Sequence, residues 1–172
     1  MKINLKNLVK KYGSKAKILI NNPLIANKNI QKAFAILSSK SGEFSLAGVS
    51  AVVITFLNLL NDSVHGLYKN ISKKAVFLIA IGILYLVNPI DLIPDAIPIL
   101  GFTDDIAVIN LIFKNVEQEL NNYTYWRSQL LGFLMKRFED SKLHFSEFKS
   151  NILRENKNYK SHLKELENKI NE

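Results

Sequence analysis

Four carboxylates, Asp91, Asp95, Asp104 and Asp105, fall within the stretch YLVNPIDLIPDAIPILGFTDD at residues 85–105. Carboxylates held in rigid apolar surroundings suit Mg²⁺ or Ca²⁺, because hard cations take oxygen donors and two to four carboxylates supply both charge and geometry. Close approach of like charges could also raise one pKa far enough for acid–base work. The same residues have a plain structural use, since Asp accepts hydrogen bonds from outward-pointing N–H groups at helix starts and turns. We expect that structural use to account for the cluster, with a Mg²⁺ or Ca²⁺ site as the alternative and catalysis behind it. No second constellation competes. His65, His144 and His162 lack mutual ligand spacing, Val52 stands where the second glycine of a nucleophile elbow starting at Gly48 belongs, and no glycine-rich phosphate loop occurs. The chain has no cysteine, which removes thiolate metal sites, cysteine nucleophiles and disulfides together and fits a reducing compartment.

Those aspartates must be positioned by the connector that carries them. Pro89, Pro94 and Pro98 forbid continuous helix, whereas Ile90, Leu92, Ile93, Ile97, Ile99 and Leu100 call for burial. Such a segment is expected to pack as a rigid apolar connector. Asn88 ends the helix before it, because Pro89 disfavours helical backbone there. Gly101 is expected to supply a positive-φ turn, and Thr103 or Asp104 to cap the helix that follows, whose N-terminal dipole favours the carboxylates. The flanking helices are KKAVFLIAIGILYLV, with Ser72 as its N-cap, and a second starting near Asp104. They should run antiparallel, with Lys73 and Lys74 near Glu117 or Glu119.

In the rest of the chain, Leu5, Leu8, Val9, Tyr12, Ala16, Leu19 and Ile20 recur at helical spacing, and Asn21, Asn22 and Pro23 break that helix. Ile30, Ala33, Phe34 and Leu37 mark a short second helix, and the run from Ser45 is apolar nearly all round up to a break at Asn61 to Gly66. Tyr123 to Phe138 reads as a separate helix, and Phe145 to Ile170 as one polar C-terminal helix. No segment alternates with the period of a strand. The expected class is all-α, a compact helical bundle containing an antiparallel pair joined by a proline- and aspartate-rich connector. Its expected parts are a basic amphipathic arm at 1–45, a helical core at 45–140 and a polar helix at 141–172.

The connector closely resembles the YkvA-like family, a small bacterial domain of unknown function with relatives inside larger eukaryotic membrane proteins. The residues that carry the resemblance are Tyr85, Pro89, Ile90, Asp91, Leu92, Ile93, Pro94, Asp95, Ile97, Pro98, Gly101, Asp104 and Asp105, within roughly residues 70–115. Asn88 stands where the family commonly has Ser. The resemblance implies a helical, often membrane-associated protein and no established reaction or cofactor.

At 172 residues and 48% hydrophobic composition, the chain is long enough to bury a core and too short for a multidomain enzyme. Its net charge of +8 is segregated: residues 1–45 carry nine lysines and one acid, Glu43, whereas the remainder balances. Lys2, Lys6, Lys10, Lys11, Lys15 and Lys17 are therefore the candidates for contact with an anionic surface. Lysine without Arg or many aromatics disfavours base readout, so a nucleic-acid assembly such as a ribosome would be met only through phosphate. The first long apolar run starts too late for a secretory signal. Ala75 to Val87 spans thirteen residues, about 20 Å of helix against a ~30 Å hydrocarbon core, which disfavours a two-span topology. Trp126 reads as a packing anchor. These features lead us to expect a non-enzymatic, membrane-associated interaction or scaffold module at the cytoplasmic face, binding an anionic membrane surface and in addition a protein partner, with partial insertion left open. A divalent-cation-dependent enzyme or ion-handling protein is the alternative, and nucleic-acid docking a third. Residues 1–20 are expected to be removable without loss of the fold.

Overall fold

The computed structural model describes residues 4–39, 49–88 and 103–172, with side chains from residue 106 onward in the last span. Its α-helices are α1 (Leu5–Ile20), α2 (Pro23–Ser39), α3 (Ser50–Val64), α4 (Lys73–Val87), α5 (Thr103–Ser141), α6 (Phe145–Glu155) and α7 (Lys160–Asn171), with a 3₁₀ turn at Lys157–Tyr159. Among the described residues there is no strand, so the chain is all-α. It divides into two compact units, Met1–Leu120 and Asn121–Glu172. That division does not follow the expected boundaries at 45 and 140, and α5 contributes residues to both units.

Asn and Ser side chains cap the starts of three helices in the N-terminal unit. Asn4 starts α1 by accepting from the Asn7 N–H at 2.9 Å. Asn22 accepts from the N–H groups of Leu24 and Ile25 at 3.1 and 3.2 Å, and Pro23 takes the first position of α2, where its missing N–H costs nothing. The second helix consequently runs the full 17 residues from Pro23 and is longer than its apolar spacing indicates. Gly66, at φ 73°, follows the end of α3 in a left-handed conformation that favours glycine. Ser72 accepts from the Ala75 N–H at 3.1 Å and so caps α4 as expected.

Helix α4 is the centre of this unit. Ten of its residues, Ala75 and the run from Leu78 to Leu86, are buried, because beyond Lys74 the helix carries no charge on any face. Helix α1 packs chiefly on α4, and α2 packs on α3 and α4. The stripe Leu8, Tyr12, Ala16 and Leu19 is buried, so α1 is part of the core and not a detachable arm. The ring of Tyr12 meets Tyr85 edge-on with centroids 6.1 Å apart. A Cβ added at Gly13 would stand 3.4 Å from Phe77 Cζ, in ordinary contact.

Helices α4 and α5 are antiparallel. Ser72, before the start of α4, donates from its hydroxyl to Glu119 at 2.8 Å, while Gly82 further along lies against Ile109 and Ile112, earlier in α5. A Cβ at Gly82 would come within 2.8 Å of Ile112 Cδ1, so glycine permits this close approach. The expected contact at the Ser72 end is thus made by the cap serine to Glu119. Burial, and after it the Glu119 carboxylate, pushes the Tyr68 hydroxyl above its ordinary pKa.

In the C-terminal unit, Leu134, Phe148, Ile152, Leu163 and Leu166 form the core, flanked by the rings of Phe138 and Phe145. Two sequence expectations are corrected here. The helices expected on either side of residue 122 are one 39-residue helix. Asn121 and Asn122 are weak helix formers, but Leu120 and Tyr123 are both buried, and that burial outweighs a few tenths of a kcal/mol of propensity. The expected single C-terminal helix is instead two. It breaks at Asn156, whose backbone is extended and whose side chain accepts from the Asn158 N–H at 3.0 Å. An exposed pair, Arg137–Glu155, and a half-buried one, Lys149–Glu167, tie this unit together at 2.9 and 2.7 Å. Hydrogen bonding to Arg137 holds the Glu155 carboxyl below its ordinary range, and the pair raises the guanidinium in turn.

Candidate functional site

The motif is anchored at both ends by described elements. At its upstream end, Tyr85 is buried, and the Asn88 side-chain amide donates to the Leu84 carbonyl at 3.0 Å, closing the last turn of α4. The Asn88 carbonyl accepts from the Tyr12 hydroxyl at a long 3.5 Å. Helix α1 therefore braces the point where the chain leaves α4. At the downstream end α5 already includes Thr103, which places Asp104 and Asp105 in its first turn and not at the cap. That is the turn in which the helix dipole favours carboxylates. Pro89, Asp91, Pro94, Asp95, Pro98 and Gly101 lie outside the described residues, as do the side chains of Asp104 and Asp105. Among the described residues no group of three or more His, Asp or Glu side chains is arranged to hold a metal ion.

The lysines form a second candidate site. Lys6, Lys10, Lys15 and Lys17 are exposed, and Lys11 is half-buried with its ammonium 5.4 Å from the Tyr12 ring centroid. Lys2 lies outside the described residues. Helix α2 adds Lys28 and Lys32, also exposed, which the sequence reading counted as charge without assigning to the surface. Residues 4–39 contain no Asp or Glu. The unusual feature is therefore a pair of consecutive helices that expose lysines and contain no acid in their own sequence.

A third cluster was missed by the sequence reading. Arg127, with only 11% of its side chain exposed, donates from Nε and Nη2 to Glu165 Oε2 at 3.0 and 2.7 Å. Its Nη1 donates to the Tyr123 hydroxyl at 3.0 Å and points at His162 Nε2 at 2.9 Å. A guanidinium has no lone pair to offer, so Nε2 is the acceptor and the ring proton sits on Nδ1. Trp126 stacks against Tyr123 and meets His162 edge-on, with centroids 5.7 and 6.1 Å apart, which makes it the packing anchor its sequence context indicates. The signal was available: Tyr123 and Arg127 are spaced i,i+4, and His162 and Glu165 i,i+3, so each pair shares one helix face. The arrangement joins α5 to α7 within the C-terminal unit.

Comparison with known proteins places this geometry in a family. A family described as "Protein of unknown function (DUF1232)" matches residues 75–111, which take in most of α4 and the start of α5. An "Uncharacterized membrane protein YkvA" from Bacillus subtilis (strain 168) is 43% identical over 77 residues, covering 45% of this chain and 73% of the relative. The chain belongs to the YkvA family. No solved structure matches it.

Proposed function

We propose that the protein is a membrane-associated helical interaction module, seated on an anionic lipid surface by the lysines of α1 and α2, and that it acts by binding and not by catalysis. The observation that carries this reading is the acid-free, lysine-lined outer face of residues 4–39. Each lysine near an anionic surface contributes about 1 kcal/mol, so several acting together are enough for reversible attachment. The description of the Bacillus subtilis relative as a membrane protein supports the same reading. Among the described residues, no helix is long and apolar enough to cross a membrane, which favours attachment from one side. Anionic lipid on the cytoplasmic leaflet makes that face the expected one. The antiparallel pair of α4 and α5 is then the part presented to a protein partner.

The test is co-sedimentation with phosphatidylcholine vesicles with and without phosphatidylglycerol. The protein is expected to bind only the anionic vesicles and to come off at high salt. Reversing Lys6, Lys10 and Lys17 together to Glu should weaken binding about a hundredfold while helicity is kept, because these side chains are exposed. Equal binding to neutral vesicles, or binding indifferent to salt, would contradict the proposal.

A further inference from the structure

We infer that the corner between α1 and α2 enters the bilayer, with Ile18, Leu24 and Ile25 in the boundary between headgroups and acyl chains of an anionic membrane. This rests on the membrane-attachment reading above and adds a depth and an orientation to it. Leu24 is 80% exposed and Ile18 56% exposed, and with Ile25 they bracket the two-residue link Asn21–Asn22. Three exposed aliphatic side chains beside one helix–helix turn offer apolar surface that the boundary of a lipid leaflet can take up.

The cations are placed to match. Lys17 adjoins Ile18 on α1, and on α2 Lys28 stands one turn beyond Leu24 and Ile25, with Lys32 one turn further. That spacing sets the α2 lysines about 6 and 12 Å along the helix axis from Leu24. With the corner inserted, those ammonium groups reach the phosphates while their stems stay against apolar surface.

The backbone of the corner is also prepared for a poorly hydrated environment, where an unpaired N–H is costly. The N–H groups of Asn21 and Asn22 bond the Leu19 carbonyl, Pro23 has none, those of Leu24 and Ile25 bond Asn22 Oδ1, and that of Ala26 bonds the Asn22 carbonyl. Every N–H from residue 21 to 26 is thus satisfied inside the corner. The amide nitrogen of Asn21 is likewise turned inward, donating to the Lys17 carbonyl at 2.8 Å.

Because the chain has no cysteine, a single labelled site can report depth. Leu24→Cys and, as a control at the far end of α1, Asn7→Cys would each be labelled with an environment-sensitive fluorophore and mixed with phosphatidylglycerol-containing vesicles. The label at 24 is expected to shift to the blue and to be quenched by brominated acyl chains, and the label at 7 to stay aqueous. The double variant Ile18→Ser with Leu24→Ser should bind these vesicles about tenfold more weakly with unchanged helicity. If the native chain binds in a salt-dependent way but the label at 24 stays aqueous and the serine variant binds equally well, insertion is wrong and the electrostatic attachment stands. If the native chain does not bind anionic vesicles at all, both fall. If sedimentation without lipid shows a dimer that the serine variant loses while vesicle binding is unchanged, the corner is a self-association surface and the inference is overturned.

Discussion

Deleting residues 1–20 will abolish cooperative folding of the N-terminal unit. The lysines of α1 occupy its outer face, but its inner face belongs to the core, where Leu8, Tyr12, Ala16 and Leu19 are buried chiefly against α4. Helix α4 is apolar on all sides, so without α1 one side of it meets water. Removing one large buried ring already costs about 3–5 kcal/mol, and a domain's whole stability is about 5–15 kcal/mol. Tyr12, 1% exposed, is the sharpest single position. Tyr12→Ala is expected to lower unfolding free energy by about 3–4 kcal/mol, and Tyr12→Phe, which keeps the buried ring, to cost less than Tyr12→Ala. Amide exchange along α4 reads both effects. Native-like protection in the truncated chain would refute the assignment of α1 to the core.

Replacing Arg127 should have the largest effect in the C-terminal unit. Arg127→Met removes donors to Glu165, Tyr123 and His162 at once. Breaking a buried pair from one side costs about 3–5 kcal/mol. Glu165 keeps 36% of its side chain in water, which lowers the expected loss to about 2–4 kcal/mol. Arg127→Lys should recover little of it, because one ammonium cannot serve the three partners that the planar fork reaches. The single Trp126 stacks on Tyr123 and meets His162, so its fluorescence reports this site during denaturant unfolding. An unfolding midpoint unchanged in Arg127→Met would show the network to be idle.

The all-α class, the antiparallel pair around the motif and the Ser72 cap could be read from residue types, because capping and periodicity are local. The role of α1 could not. An amphipathic helix has the same spacing whether its apolar face meets lipid or protein, and a segregated +8 charge made residues 1–45 look like an appendage. What decides is the all-round apolarity of α4, which needs covering on every side, and Tyr12 is part of that cover. The continuity of α5 through Asn121 and Asn122 and the break at Asn156 were hidden for a related reason. The same residue type is tolerated inside a helix when buried neighbours on both sides hold it, and ends one when its side chain finds a nearby N–H. Of the candidate site, the lysines of α1 and the Asn88 end were legible, whereas Lys28 and Lys32 joined them only once α2 was seen to begin at Pro23. Arg127 escaped because two of its partners, His162 and Glu165, lie 35 and 38 residues away along the chain.

The proposed attachment, by lysine charge and a shallow apolar corner on one face of the membrane, is open to a direct test. The most direct measurement is extraction of the untagged protein from membranes of cells that make it. The account predicts that it pellets with membranes at low salt and is released by high salt or alkaline carbonate without detergent. Retention through both washes, with release only by detergent, would contradict it.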